Sequence, residues 1–373
     1  MDVLISGAGV AGLALAYWLD RAGIHVTLVE RTPAFRRGGQ AVDIRGVALD
    51  VARAMGLLEQ ARGLRTQLKG MAMLDANGAE VSRTTERTFS AGRLDSDDIE
   101  IFRDDLCGLL IGALGHGVEM RYGDSIRTID DSGASVGVTF ENGGARAFDL
   151  VVGADGVYSK TRRVVFDNES TVVKSLGMVL ALFTAPNDMN LIDWQLGHRA
   201  NGVGVIIYPS LDKKELRVGV GFATNGTTLP RGDVAAQREQ VAAHGAHLGG
   251  LFPALFAVSQ ETPEFYYNEL AQIRMPAWSK GRVVLAGDAA HCASPFSGQG
   301  TSLALVGAFV LGRALATSGG NLDAALHGYE ERMRPYVALN QDMVDLTRVG
   351  PTPDDVMTRA KNGIDLTDLL PAL

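Results

Sequence analysis

The sequence predicts an α/β fold of two domains, and three observations carry that prediction. First, Asp2–Ser6 is a short apolar strand that runs into Gly7-Ala8-Gly9-Val10-Ala11-Gly12, a helix to about residue 22 and a second strand ending at Glu30. That order is a Rossmann-like βαβ unit. Second, two more apolar strands end in glycine turns, one before Asp155-Gly156 and one, 283–286, before Gly287-Asp288. Third, apolar stretches recur between them at 177–184, 193–196, 202–208 and 216–222. They read as a mixed or antiparallel sheet with one face on the first domain. The expected division gives 1–70, 96–173 and 275–345 to a discontinuous nucleotide domain. It gives 71–95 and 174–274 to a substrate domain, and 346–373 to a C-terminal helix.

In the first unit Gly7 permits the tight turn, Gly9 lets backbone approach a pyrophosphate, and Gly12 lets helix pack on strand. Glu30, at the end of the second strand, can accept from a ribose hydroxyl. This pattern suits a dinucleotide and does not separate FAD from NAD. Residues 31–46 are rich in arginine and glycine and read as a functional loop. A helix over 47–55 and a hairpin of 71–74 with 80–84, turning at Asn77-Gly78, come next. Glu100 to Leu106 opens an apolar helix to about residue 114. Short strands at 118–121, 125–130, 135–141 and 145–148 lead to the second glycine turn.

Helix 234–246 and an apolar segment 265–273 close the inserted region. Gly287-Asp288 then ends a buried strand, and Ser294-Pro295 leads through Ser297-Gly298-Gln299-Gly300 to a long apolar helix. A carboxylate at Asp288 can accept from a chain of sugar-like hydroxyls. Amides at the following helix N-terminus can face a partial negative charge. The last elements are a helix over 321–344, interrupted at Pro335, and a final helix ending at residue 370.

Composition narrows the function. The chain has 373 residues, 46% of them hydrophobic, 45 glycines and a net charge of -8. It is long enough for two cores, and no basic run points to nucleic acid. The longest apolar stretch, 302–316, is broken by Arg313 and falls short of a bilayer span. A strand starting at Asp2 leaves no room for a signal peptide. Cys107 and Cys292 form no CxxC pair, which disfavours a dithiol centre or thiolate zinc site. His198, His244 and His247 make no metal pattern. The expectation is a cytoplasmic enzyme, monomer or homodimer, with no metal and no membrane.

The joined motifs resemble the class A FAD-dependent aromatic monooxygenases, para-hydroxybenzoate hydroxylase-like. Within them the chain looks most similar to the tetracycline-inactivating flavin monooxygenases. GDAAH, SPFSGQG and a helix resemble the second FAD signature, Asp155-Gly156 with Ser159 and Arg162 the DG motif, and Glu100 to Leu106 the E-[IL]-x-R-x-x-L segment. The resemblance implies FAD contacts at Gly7, Gly9, Ala11, Gly12, Glu30, Arg31, Asp43, Arg103, Asp155, Gly156, Gly287, Asp288, Pro295, Gly298, Gly300 and Thr301. It implies visiting NADPH or NADH at Arg36 and Arg37, and O2 as co-substrate. Oxygen would pass through a C4a-hydroperoxyflavin to a bulky aromatic or polyketide-like molecule lying against Gln195, Tyr208 and Phe222. No side chain is expected as a compulsory catalytic base. Ser302 stands where many relatives carry asparagine. A halogenase is disfavoured because Trp278 is followed by Ser279-Lys280 rather than a WxWxIP segment. A flavoprotein that sequesters a ligand without turnover is the second reading.

Overall fold

The computed structural model describes residues 1–35, 38–166, 172–227, 229–230, 232–348 and 350–370. Strand β1 (Asp2–Ser6), helix α1 (Val10–Arg21) and β2 (His25–Glu30) form the expected opening unit. Two elements then depart from expectation. Within the glycine- and arginine-rich segment, Ala41–Ile44 is a strand, β3. Helices α2 (Val47–Ala54) and α3 (Leu58–Gly63), the hairpin β4 (Met71–Leu74) and β5 (Glu80–Thr84), and short β6 (Arg87–Thr88) and β7 (Gly92–Arg93) follow. Ile99–Phe102 is then strand β8, paired antiparallel with β3, so the helix α4 (Arg103–Gly112) starts later than the sequence suggests. All four β8 residues are buried. Burial on both faces removes the polar–apolar alternation that marks a strand.

Strands β9 (Val118–Tyr122), β10 (Ile126–Asp130), β11 (Val136–Phe140), β12 (Ala145–Phe148) and β13 (Leu150–Gly153) precede α5 (Lys160–Phe166). The chain leaves this layer along β14 (Val173–Pro186) and crosses β15 (Gln195–Ala200), β16 (Val203–Pro209) and β17 (Glu215–Ala223). Helices α6 (Val234–Gly245) and α7 (Phe252–Val258) follow, and β18 (Phe265–Ile273) brings it back. Then come β19 (Ser279–Lys280), β20 (Val283–Leu285), the short α8 (Asp288–His291), α9 (Gly300–Thr317), α10 (Leu322–Asp342) and α11 (Asp354–Lys361).

Two large sheets organise these elements. The first has the order β19-β20-β13-β1-β2-β9, parallel except at β19. It therefore brings the three glycine turns, which follow β1, β13 and β20, to the same carboxyl edge. The second has the order β18-β14-β17-β16-β15-β4-β5 and is antiparallel except where β15 runs parallel to β4. One face is covered by α6 and α7, with Val179, Val205, Val220, Phe222 and Phe252 in its core.

Helix α9 is apolar along its length, with a mean hydropathy of 1.4, and is largely buried inside the protein. It packs on α1, where Gly312 admits Trp18; a Cβ at Gly312 would lie 2.7 Å from the Trp18 Cβ. Such burial stabilises by about 1.5–3 kcal/mol per large apolar side chain. Pro335 does not interrupt α10, which runs through it. Buried Met333, Tyr336 and Val337 on either side hold both halves against the core, offsetting the missing amide. The final helix stops at Lys361, short of the expected end at residue 370.

Candidate functional site

The three glycine turns interlock. Gly7 has φ +109°, and a Cβ there would lie 2.5 Å from the Ala154 carbonyl oxygen, in the turn after β13. A Cβ at Gly12 would lie 2.0 Å from the Gly7 oxygen. Gly287, at φ +59°, faces Ala11, whose Cβ would be 2.7 Å from an added methyl. Ala11 thus packs the first turn on the third. Arg162 completes the join: its buried guanidinium donates to the Ala289 carbonyl at 2.8 Å and to the Val157 carbonyl at 2.7 Å.

Two of the carboxylates at this edge hold local geometry. Glu30 accepts from the Ala8 amide at 3.0 Å, inside the first glycine turn, and from Thr32. Asp155 accepts from the Ser159 hydroxyl, the Lys160 amide at 2.8 Å, and the Thr161 amide and hydroxyl. It fixes the N-terminus of α5 as a capping residue does. Gly156, at φ +82°, makes the turn between them.

Asp288 differs. It begins α8 and keeps surface open to water while protein surrounds it. The crowding holds its carboxyl above the usual range, countered by Cys292 and by the charge of Arg103. The open face limits that rise. Arg103 starts α4 and its guanidinium reaches the first turn; a Cβ at Gly9 would lie 3.5 Å from Nη2. Arg31 is exposed beside Glu30. Arg36 and Arg37 lie outside the described residues.

The third turn continues through an exposed Pro295, Gly298 at φ +61°, and Gly300 and Thr301 at the start of α9. Among the described residues no side chain caps α1 or α9, so their first amides remain available to an acceptor. Ser302 serves another end: its hydroxyl accepts from the Arg45 amide at 2.9 Å and donates to the Asp43 carbonyl at 3.2 Å, tying β3 to α9. Helix α11 covers this corner. The Met357 sulfur accepts from Arg45 at 3.6 Å and from Gln299 at 3.1 Å. Nothing in the sequence around Met357 announced that contact.

The sheet residues divide by face. Tyr208 and Gln195 share the face opposite the covering helices. The Tyr208 hydroxyl accepts from the Ala41 amide at 3.1 Å, and its ring stacks on Phe102 at 6.1 Å. Gln195 is spent on the Phe89 amide and the Ser90 hydroxyl, both at 2.6 Å. Phe222 lies on the opposite, helix-covered face, stacked on His244 at 3.8 Å. Its register opposite Val203 and Val179 puts it there, so the structure does not bring it together with Tyr208 and Gln195. His291 is buried against Trp278 and Tyr329, and burial pushes its imidazole down to about 4.

These groups fit a dinucleotide on their own evidence. Three glycine turns clear the space, two helix N-termini offer donors, and an open carboxylate at Asp288 offers acceptors. Comparison with known proteins agrees. Residues 1–344 match the FAD binding domain family. A flavin-dependent monooxygenase of Legionella longbeachae is 34% identical over 91% of this chain and 87% of its own. An uncharacterised protein of Mycobacterium tuberculosis is 42% identical over 98% of this chain and 99% of its own. The crystal structure of tetracycline destructase Tet(51) superposes with a TM-score of 0.90, at 34% identity, covering 98% of each chain.

Proposed function

The chain belongs to the FAD-binding family of flavin-dependent monooxygenases, and from that premise we propose the reaction. It inserts one oxygen atom of O2 into a bulky aromatic or polyketide-like molecule at the expense of NADPH or NADH. The convergence of three glycine turns on one sheet edge is the observation that carries this reading. Bound FAD supplies two-electron redox chemistry and the activation of O2.

The protein's own residues supply position and charge. Gly7, Gly9 and Gly12, with the α1 amides, hold the pyrophosphate, and Glu30 meets the ribose beside Arg31. Asp288 accepts from the ribityl hydroxyls. Arg103 adds a positive charge beside the first turn, where it would answer the negative charge of the pyrophosphate. Asp155, Gly156 and Arg162 keep the second turn rigid under it. Pro295, Gly298, Gly300 and Thr301, with Asp43 and Ala11, would hold the flavin end of the cofactor. Tyr208 and Gln195 line the sheet face that would exclude water from that end. Under this reading residues 1–70, 96–173 and 275–345 serve the cofactor, and 71–95 with 174–274 serve the substrate. One dinucleotide unit is present, so the nicotinamide visits rather than resides, with Arg36 and Arg37 as its phosphate contacts.

The test is NADPH consumption with paired oxygen uptake across phenols, polycyclic ketones and tetracycline. A product one oxygen atom heavier, labelled from O2, supports monooxygenation. Label from water, or full turnover without oxygen, rules it out.

A further inference from the structure

The hairpin of β6 and β7 is too small to hold its own place. Its strands have two residues each, with Arg87 opposite Arg93 and Thr88 opposite Gly92, and an isolated two-stranded ribbon is marginal in water. Its position has to come from contacts outside it, and two groups make them. On one side stands Gln195 of the seven-stranded sheet. Its Oε1 accepts from the Phe89 amide and its Nε2 donates to the Ser90 hydroxyl, both at 2.6 Å. On the other side stands Arg45, just after β3. Its buried Nη2 donates to the Ser90 carbonyl at 3.2 Å and the Ala91 carbonyl at 3.1 Å, and pairs with Asp43 at 2.8 Å.

The same guanidinium meets the third glycine turn. A Cβ at Gly298 would lie 3.6 Å from Cζ, Nη1 and Nη2 alike. Only a point over the face of the planar group is equally far from all three. Arg45 therefore spends its edge on the hairpin turn and its face on the turn before α9. A planar fork can do both at once; a lysine would keep the charge beside Asp43 and lose the shared geometry. Gln195, the turn at Phe89 to Ala91, Arg45 and Gly298 thus form one unbroken line of contacts.

We propose that Arg45 is a positioning residue for the cofactor: through it, the seating of the hairpin turn on Gln195 sets the position of the turn at Gly298. This rests on the reading that the third glycine turn holds the flavin end of FAD. A molecule that lies against Gln195 and shifts the hairpin would then act on the cofactor end without touching it.

The experiment is a double-mutant cycle on FAD release, which isolates coupling between two sites. Release is followed as the rise in flavin fluorescence when FAD-loaded protein is diluted, for wild type, Gln195→Met, Arg45→Lys and the double variant. Near-ultraviolet circular dichroism of each loaded protein checks the fold. Gln195→Met should speed release by at least about threefold and Arg45→Lys by at least about tenfold. The double variant should release FAD no faster than Arg45→Lys alone, because the line is already cut. Two effects that multiply, or release from Arg45→Lys within about twofold of wild type, overturn the proposal. Should Arg45→Lys fail to fold, Gln195→Met decides alone: faster release from a folded protein supports the relay, and wild-type release overturns it. Gly298→Ala, strained at a left-handed position, separates the two readings. Release unchanged by it removes the third turn from the flavin site and this inference with it. Faster release there, beside multiplied effects in the cycle, sinks the inference and leaves the site standing.

Discussion

Glu30 and Asp155 sit at the carboxyl edge of the parallel sheet with their oxygens met by amides and hydroxyls. Asp43 and Glu100 face one another across β3 and β8, each buried and with one oxygen that has no hydrogen-bond partner among the described residues. The residue types are the same. In the first region carboxylates hold backbone in shape; in the second, burial favours the protonated, uncharged acid. The first kind stabilises the protein, and the second costs stability once its protons are lost.

Substitutions can break that contrast, and the largest effect belongs to the glycine cradle. Gly12→Ala would press a methyl to 2.0 Å from the backbone of Gly7. We expect a loss of more than about 3 kcal/mol in chemical denaturation and no yellow colour after purification. Retention of FAD at wild-type stability would show that the cradle is looser than described. Next, Asp288→Ala should leave the melting of the FAD-free protein unchanged. It should weaken FAD binding by roughly ten- to a hundredfold, about 1.5–3 kcal/mol, in a fluorescence titration. Equal FAD affinities would reassign the residue. Asp155→Ala should do the converse, lowering stability by about 1–2 kcal/mol as a lost helix cap does, visible in FAD-free protein. A melt unchanged by that substitution would remove the distinction between the two carboxylates.

The second region has its own signature in pH. Asp43 and Glu100 have folded values above their ordinary 3.8 and 4.5. The folded state therefore keeps protons that the unfolded chain has released. The contribution of Asp43 to stability falls as pH rises from about 4 to about 7, and that of Glu100 falls as pH rises above its ordinary 4.5. His291, held down at about 4 from 6.5, acts in the opposite sense across 4 to 6.5, so the comparison must be made between variants. Relative to wild type, Glu100→Gln should gain stability as pH rises above 4.5. A flat or falling difference curve would mean that burial does not hold the proton on Glu100. The smallest effect is expected at Tyr208→Phe, which removes one hydrogen bond to Ala41, about 1 kcal/mol. A larger change in substrate affinity than in melting would make the hydroxyl a substrate contact.

The two regions also differ in how far the sequence reveals them. The strand, glycine turn and helix of residues 2–30 are plain, with two glycines demanded by close contacts: Gly7 by Ala154, Gly12 by Gly7. Strands β3 and β8 are not plain. β3 lies in a run of arginine and glycine, and β8 is buried on both faces and leads without a break into α4. Glu100 therefore reads as the start of a helix, and its partner across the ribbon stays hidden. Phe222 fails for another reason. Alternation along β17 separates two faces, but only pairing with β14 and helix α6 tells which face is covered. The contact of Met357 with Arg45 bridges 312 residues, and no local pattern encodes such a meeting.

The seven-stranded sheet is assembled from two separate excursions of the chain. Its long excursion leaves and returns on neighbouring strands, with Val173 opposite Ile273 and Lys174 opposite Gln272. The short one contributes β4, which runs beside β15 from Met71 opposite Gln195. At that seam the fit is close: a Cβ on Gly197 would lie 3.0 Å from the Met73 sulfur and 2.6 Å from the Phe89 ring. Recombination that grafts the long excursion alone from a relative would import one side of this seam and leave the other native. Transfer of an intact sheet therefore calls for paired crossovers, with residues 71–95 travelling together with 173–273.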